Sequence, residues 1–147
     1  MSVSIIGCEA KKEAPLVQVE SKNYGDVNNN AVATELERNG NTSKIKVVFK
    51  KRGSSVGDSM FVMMAICEAA KARNYEYFCN LKEWDDKDGA IYVAGFTNKK
   101  DADIKKEFGK EYDYKNESGQ QRSPMSVTQL KEFMEKIKTG ASTNQRR

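Results

Sequence analysis

The chain contains no histidine. That absence removes the commonest general base and the commonest transition-metal ligand together. A serine nucleophile then has no imidazole to activate it, and a cysteine nucleophile lacks an activating neighbour. Cysteine itself is scarce, at three residues, an odd number for a secreted protein. Apolar residues make up only 38% of the 147, but the polarity is concentrated at the two ends, so the middle is rich enough for one ordinary core. The net charge of +4 is mild. It permits attraction to anionic lipid, glycan or nucleic acid and demands none of them.

Acids are plentiful at Asp85, Asp86, Asp88, Asp101 and Asp103. They fall in turns and helix starts, where turn geometry and the helix dipole account for them. The run from Trp84 to Gly89 hints at a calcium loop. Aligned on Gly89, however, it places Trp84 and Gly95 where carboxylates are required, which rules the loop out. No catalytic constellation, metal site or cofactor site is left, and the chain is read as a non-enzyme.

What is present is organised around Ser54 to Leu81. Ser55 and Asp58 make an S-x-x-D helix start. Val56, Met60, Met63, Met64, Cys67 and Ala70 then recur at close to helical spacing. Phe61, Val62, Ile66, Ala69 and Ala72 widen that stripe, so the helix is expected to be buried on more than one side. Its methionines are read as core packing, with an adaptable binding surface as the alternative. The late alanines let a sheet approach closely, and Asn74 is suited to the left-handed conformation that ends helices. Tyr75, Tyr77, Cys79 and Leu81 follow at strand period.

On either side lie two hairpins. Ala31–Arg38 and Lys44–Lys51 flank the turn Asn39-Gly40-Asn41, and Asp88-Gly89 turns the third strand into Ala90–Thr97. Ile45, Val47 and Phe49 should face inward. Ile104, Phe108 and Tyr112 mark a short helix interrupted by Gly109. Val127, Leu130, Phe133, Met134 and Ile137 mark a last helix, capped by Ser126 and ended by Gly140. The expected order is ββαββαα. A helix between strands two and three makes those strands parallel neighbours or near neighbours. The expected fold is an α+β two-layer sandwich with a four-stranded mixed sheet and helices packed on it.

The N-terminal stretch carries a different signal. Ile5-Ile6-Gly7-Cys8 resembles the bacterial lipobox, with small residues at the cut and a thiol to carry diacylglycerol. No basic n-region and no apolar h-region of about 7–15 residues precede it. Residues 9–30 are rich in Lys, Glu, Asn and Ser, a composition that cannot offset the entropy of ordering and reads as a tether. Thus 1–8 is read as a signal remnant ending in a lipidated Cys8, 9–30 as tether, 31–139 as one domain and 140–147 as a tail. Glu9 after the cysteine resembles an enterobacterial outer-membrane address.

From about Tyr24 to Phe96 the chain also resembles a family of small bacterial envelope lipoproteins. The residues that carry the likeness are Val47-Val48-Phe49, Ala69-Ala70 and Tyr75-Glu76-Tyr77-Phe78. The resemblance implies lipid anchoring and an envelope location and imports no active site; with Glu9 after the cysteine, the expected address is the periplasmic face of the outer membrane.

The functional expectation is therefore a tethered binding or assembly module with a protein partner in the envelope. Its surface would be the outward sheet face: Val48, Phe78, Tyr92 and Phe96 with Lys46 and Lys50, unless the C-terminal helices cover it. The alternative is a cytoplasmic single-stranded nucleic-acid binder using the same aromatic and basic face, although the basic-Gly-aromatic run of RNA-binding sheets is missing. Cys67 and Cys79 are candidates for a disulfide or for two buried thiols. Mass spectrometry of the mature protein from its native host tests the anchor. A diacylated Cys8 at the N-terminus is expected, and an unmodified Cys8 in soluble cytosol would overturn it.

Overall fold

A computed structural model describes residues 14–24, 29–112 and 123–144, except for the side chains of 23, 24 and 137–144. In chain order the strands are β1 (Gln18–Glu20), β2 (Asn30–Asn39), β3 (Thr42–Lys51), β4 (Tyr77–Asp86), β5 (Gly89–Thr97) and β6 (Met125–Ser126). The helices are α1 (Ser55–Ala72), α2 (Ile104–Phe108) and α3 (Val127–Asn144), with single 3-10 turns at Ser21–Tyr24 and Lys110–Tyr112.

The sheet corrects the sequence-based architecture. It has six strands, ordered β1-β2-β3-β5-β4-β6, and every ladder is antiparallel. It curls into a half-barrel rather than forming one layer of a four-stranded mixed sandwich. The crossover through α1 does leave β3 and β4 pointing the same way, since both run antiparallel to β5. But β5 folds back between them, so no parallel ladder forms. Gly89 permits that return: a Cβ there would lie 1.9 Å from the Val47 carbonyl oxygen. Two strands, β1 and β6, are too short for a period-2 signal. β1 also lies inside the stretch expected to be tether, and α3 runs on through Gly140 to Asn144.

Local chemistry places α1. Ser54 caps it, accepting from the Gly57 N–H at 3.0 Å. Asp58 instead reaches outside the helix. It accepts from Asn29 Nδ2 at 2.8 Å, Arg52 Nε at 2.7 Å and the Gly53 N–H at 3.1 Å. Asn74, at φ 65, takes the left-handed turn that releases the chain into β4.

Between these ends, α1 is buried on most of its circumference. The sheet's concave face meets it with Ala31 and Ala33 of β2, Ile45 and Val47 of β3, Phe78 of β4, and Ala94 and Phe96 of β5. Val127, Leu130 and Met134 of α3 belong to the same cluster. On β2 the larger Val32, Thr34 and Leu36 point outward, because the concave side has room only for alanines beside the helix.

A second, smaller core forms on the convex face. Cys79, Leu81 and Ile104 are buried there, with Val93, Phe108 and Tyr112 packed against them. Gly95 makes space for it, since a Cβ would come within 2.7 Å of the Phe108 ring and 2.8 Å of Leu81. α2 thus covers part of the convex face, whereas α3 lies with α1.

The concave face also holds a buried carboxylate, Glu35, only 2% exposed. It accepts from Arg38 Nε and Nη2, each at 2.9 Å, from Ser43 Oγ at 2.6 Å and from the Val17 N–H at 3.1 Å. Arg38 also donates to the Ala14 and Pro15 carbonyls, tying the N-terminal strap to the hairpin. Arg73 closes the other side, donating to Ser43 Oγ at 3.1 Å and to the carbonyls of Thr42 and Gly40.

Burial is the largest influence on Glu35 and pushes its pKa up. The hydrogen bonds from Arg38, Ser43 and Val17, with the Arg38 charge, outweigh it, so the carboxyl sits below its ordinary 4.5. A depressed carboxylate adds stability that is present above the unfolded value and lost as pH falls through the folded one. The melting temperature should therefore drop with acidification below pH 4.5. Glu35→Gln should cost about 3 kcal/mol at neutral pH and flatten that acid limb. A variant with the wild-type curve would show that the carboxylate does not hold the hairpin.

Candidate functional site

Amphipathic packing of α3 against α1 leaves a groove along their seam. α3 turns Leu130 and Met134 inward at i and i+4. Phe133, one position away from Met134, cannot share that direction and is 55% exposed. From α1 come the half-buried Met60 and Met63; from β6 comes Met125, 39% exposed. Tyr77, Lys100 and Asp101 also line the groove. The cavity volume is about 650 Å³, within the range of ordinary ligand sites.

β6 is fixed to the sheet, its two residues pairing with Tyr77 and Phe78 of β4. The Val127 N–H donates to the Glu76 carbonyl at 2.9 Å, and Ser126 Oγ caps α3 by accepting from the Gln129 N–H at 3.1 Å.

Thioethers dominate the walls. The chain has six methionines. Met60, Met63, Met125 and Met134 line the groove, with Met134 also reaching the main core, and Met64 is buried in that core away from the groove. Unbranched, polarizable side chains let such a surface repack around differently shaped apolar partners. The groove's charged groups, Lys100 and Asp101, are exposed.

The sequence-predicted surface is not assembled. Phe78 and Phe96 are 1% and 0% exposed, inside the main core. Phe96 stacks on Tyr75 at 5.7 Å, with the Arg73 guanidinium over both rings. Tyr92 is half-buried on the same concave side. Val48, Lys46 and Lys50 alternate onto the convex side, where Lys46 pairs with Asp86 at 3.1 Å. Rings and lysines thus lie on opposite faces, so the aromatic, basic face needed for stacking on single-stranded nucleic acid is not formed among the described residues.

Cys67 and Cys79 are free and buried, one in each core. Cys67 Sγ lies 3.9 Å from the Val127 carbonyl oxygen and Cys79 Sγ 3.8 Å from that of Gly95. The sheet separates them, so the disulfide expectation is replaced by two structural thiols. Burial, reinforced by the Glu68 carboxylate, pushes the Cys67 thiol up to about 11, which keeps it protonated and a poor nucleophile. Cys8 lies outside the described residues, as does the side chain of Ile137. Among the described residues, no group of three or more Cys, Asp or Glu is placed to hold a metal, and no helix is long and apolar enough to cross a membrane.

The groove was only partly visible in the sequence. Adjacent apolar residues at 133 and 134 were a usable sign, because a packed helix can bury only one of such a pair. Tyr77 and Met125 gave none, as they enter the groove only through the β4–β6 pairing. Comparison of the chain with protein-family models, with curated proteins and with solved structures finds no match.

Thiol labelling checks the two cores. Iodoacetamide at pH 8 should leave Cys67 and Cys79 unmodified in the folded protein and alkylate both in denaturant without prior reduction. A need for reductant would restore the disulfide.

Proposed function

We propose that this chain is a non-enzymatic binding or assembly module of the bacterial envelope, held to the membrane by a lipid on Cys8. Its working surface is the methionine-lined groove, and its partner is a protein that presents an apolar segment. The observation that carries the binding reading is the exposure of Phe133 and Met125 on the rim of one continuous cavity. Anchoring rests on the Ile5–Cys8 motif alone.

Energetics fit a transient partner. Fully covering a large apolar side chain yields about 1.5–3 kcal/mol. Phe133, Met125, Met60 and Met63 are partly covered already, and docking loses rotational and translational freedom. The sum corresponds to roughly micromolar affinity or weaker. An adaptable thioether wall suits an assembly component that meets its partner repeatedly.

The experiment uses a photo-crosslinking side chain at Phe133 in the anchored protein and an apolar fluorophore, 1-anilinonaphthalene-8-sulfonate, in vitro. Crosslinking should give one discrete adduct from position 133 and none from Val56, which is also exposed but lies outside the groove. Phe133→Glu should weaken fluorophore binding about tenfold, consistent with loss of one buried side chain, at unchanged melting temperature. Equal binding by wild type and variant would remove the groove from consideration.

A further inference from the structure

A second cavity, of about 410 Å³, opens where β3 ends and the β4–β5 hairpin turns. Its walls include Phe49 and Arg52 on one side and Tyr92, Glu83 and Asp85 on the other. Register fixes their directions. Tyr92 pairs with the core residue Ile45 across one ladder and with Glu83 across the other, while Asp85 pairs with Ala90. Cross-strand partners share a face, so both carboxylates project onto the concave side beside the Tyr92 ring.

The charges there do not balance. Arg52 is committed: its Nε donates to Asp58 at 2.7 Å and its guanidinium lies 4.5 Å from the centre of the Phe49 ring. Glu83 accepts from the neutral amide of Asn80 at 3.0 Å. Neither Glu83 nor Asp85 has a cationic partner among the described residues, whereas Glu35, Asp58, Asp86 and Glu107 each have one. Burial first, then the Glu83 and Asp85 charges, push the Tyr92 hydroxyl above its ordinary range despite the opposing effect of Arg52, so the ring remains a neutral phenol. A cavity with a neutral aromatic wall and two uncompensated carboxylates has the chemistry that attracts an organic cation, by ion pairing at the head and ring contact along the stem. Charged residues on a hairpin also discourage edge pairing, but that role does not call for a cavity with an aromatic wall.

We propose that this cup binds an ammonium or guanidinium group carried on an alkyl stem. The group belongs either to a free polyamine or to a lysine or arginine side chain of a peptide. The site is separate from the methionine groove and does not depend on the function proposed for it.

Calorimetry and amide chemical-shift mapping on the full chain at low salt, with spermidine and N-acetyl-arginine-N-methylamide as probes, test the proposal. The neutral control is N-acetyl-norleucine-N-methylamide. Saturable binding of at least one cation is expected, with shifts centred on Phe49, Glu83 and Tyr92. Trp84, the only tryptophan and set between the two acids, supplies a fluorescence reading. Glu83→Gln with Asp85→Asn should weaken binding about tenfold, as loss of a charge pair implies, while Glu132→Gln, at an exposed position lining neither cavity, leaves it unchanged. Binding of spermidine alone assigns a free amine, and binding of the arginine derivative assigns a peptide. No saturable binding of either cation, equal binding of the norleucine control, or equal weakening by Glu132→Gln would overturn the site.

Discussion

A helix that is apolar nearly all the way round cannot rest on a flat sheet, and the shape of this protein follows from that constraint. From Phe61 to Ala70, α1 offers buried side chains in almost every direction. A single flat layer would leave the far side of such a helix wet, at about 25 cal/mol for each Å² of apolar surface left exposed. The sheet therefore curls around it, and α3 closes the remaining side. Small residues on the concave strands let the backbones approach, while Phe61, Phe78 and Phe96 fill the volume that remains. The groove is the residue of this arrangement: one amphipathic helix covers the opening incompletely, and the uncovered margin is lined with methionine.

Enclosure brings a polar problem with it. The turn end of the β2–β3 hairpin lies over the C-terminal end of α1, and its carbonyls need donors there. Arg73 donates to the Thr42 and Gly40 carbonyls and to Ser43. Ser43 in turn joins Glu35, and through Glu35 and Arg38 the N-terminal strap is fastened to the hairpin. Three segments distant in sequence, the strap, the hairpin and the end of α1, meet in one network, so its members are interdependent rather than additive.

The two cavities have different chemistry because they lie on different parts of that frame. The groove follows a helix–helix seam and inherits apolar residues from two packing stripes. The cup lies at the mouth of the sheet, where inward-facing positions of β4 pass beyond the cover of α1 and can carry Glu83 and Asp85. One cavity presents thioethers and a phenylalanine ring, the other two carboxylates beside the Tyr92 ring.

Several elements were legible in order and type. The Asn39–Asn41 turn, the cap at Ser126, the left-handed Asn74 and the alternation of β3 are local, set by backbone preference and by side chains a few residues apart; the cap of α1 falls on Ser54, one residue before the expected Ser55. The nearly all-round burial of α1 was also written in its own pattern. Strand order was not, because alternation states that a segment has two faces without naming its neighbour, and β1 and β6 are too short to alternate at all. The face of each strand was lost for the same reason. Phe78 and Phe96 look like an exposed aromatic pair until the position of α1 turns their side inward, and Cys67 and Cys79 look like bridging partners until the sheet comes between them. Local sequence thus determined which segments became helices, strands and turns, since those energies act between neighbours. The pairing of strands, the side each buries and the two cavities were decided by tertiary packing, because they depend on which distant surfaces exclude water together.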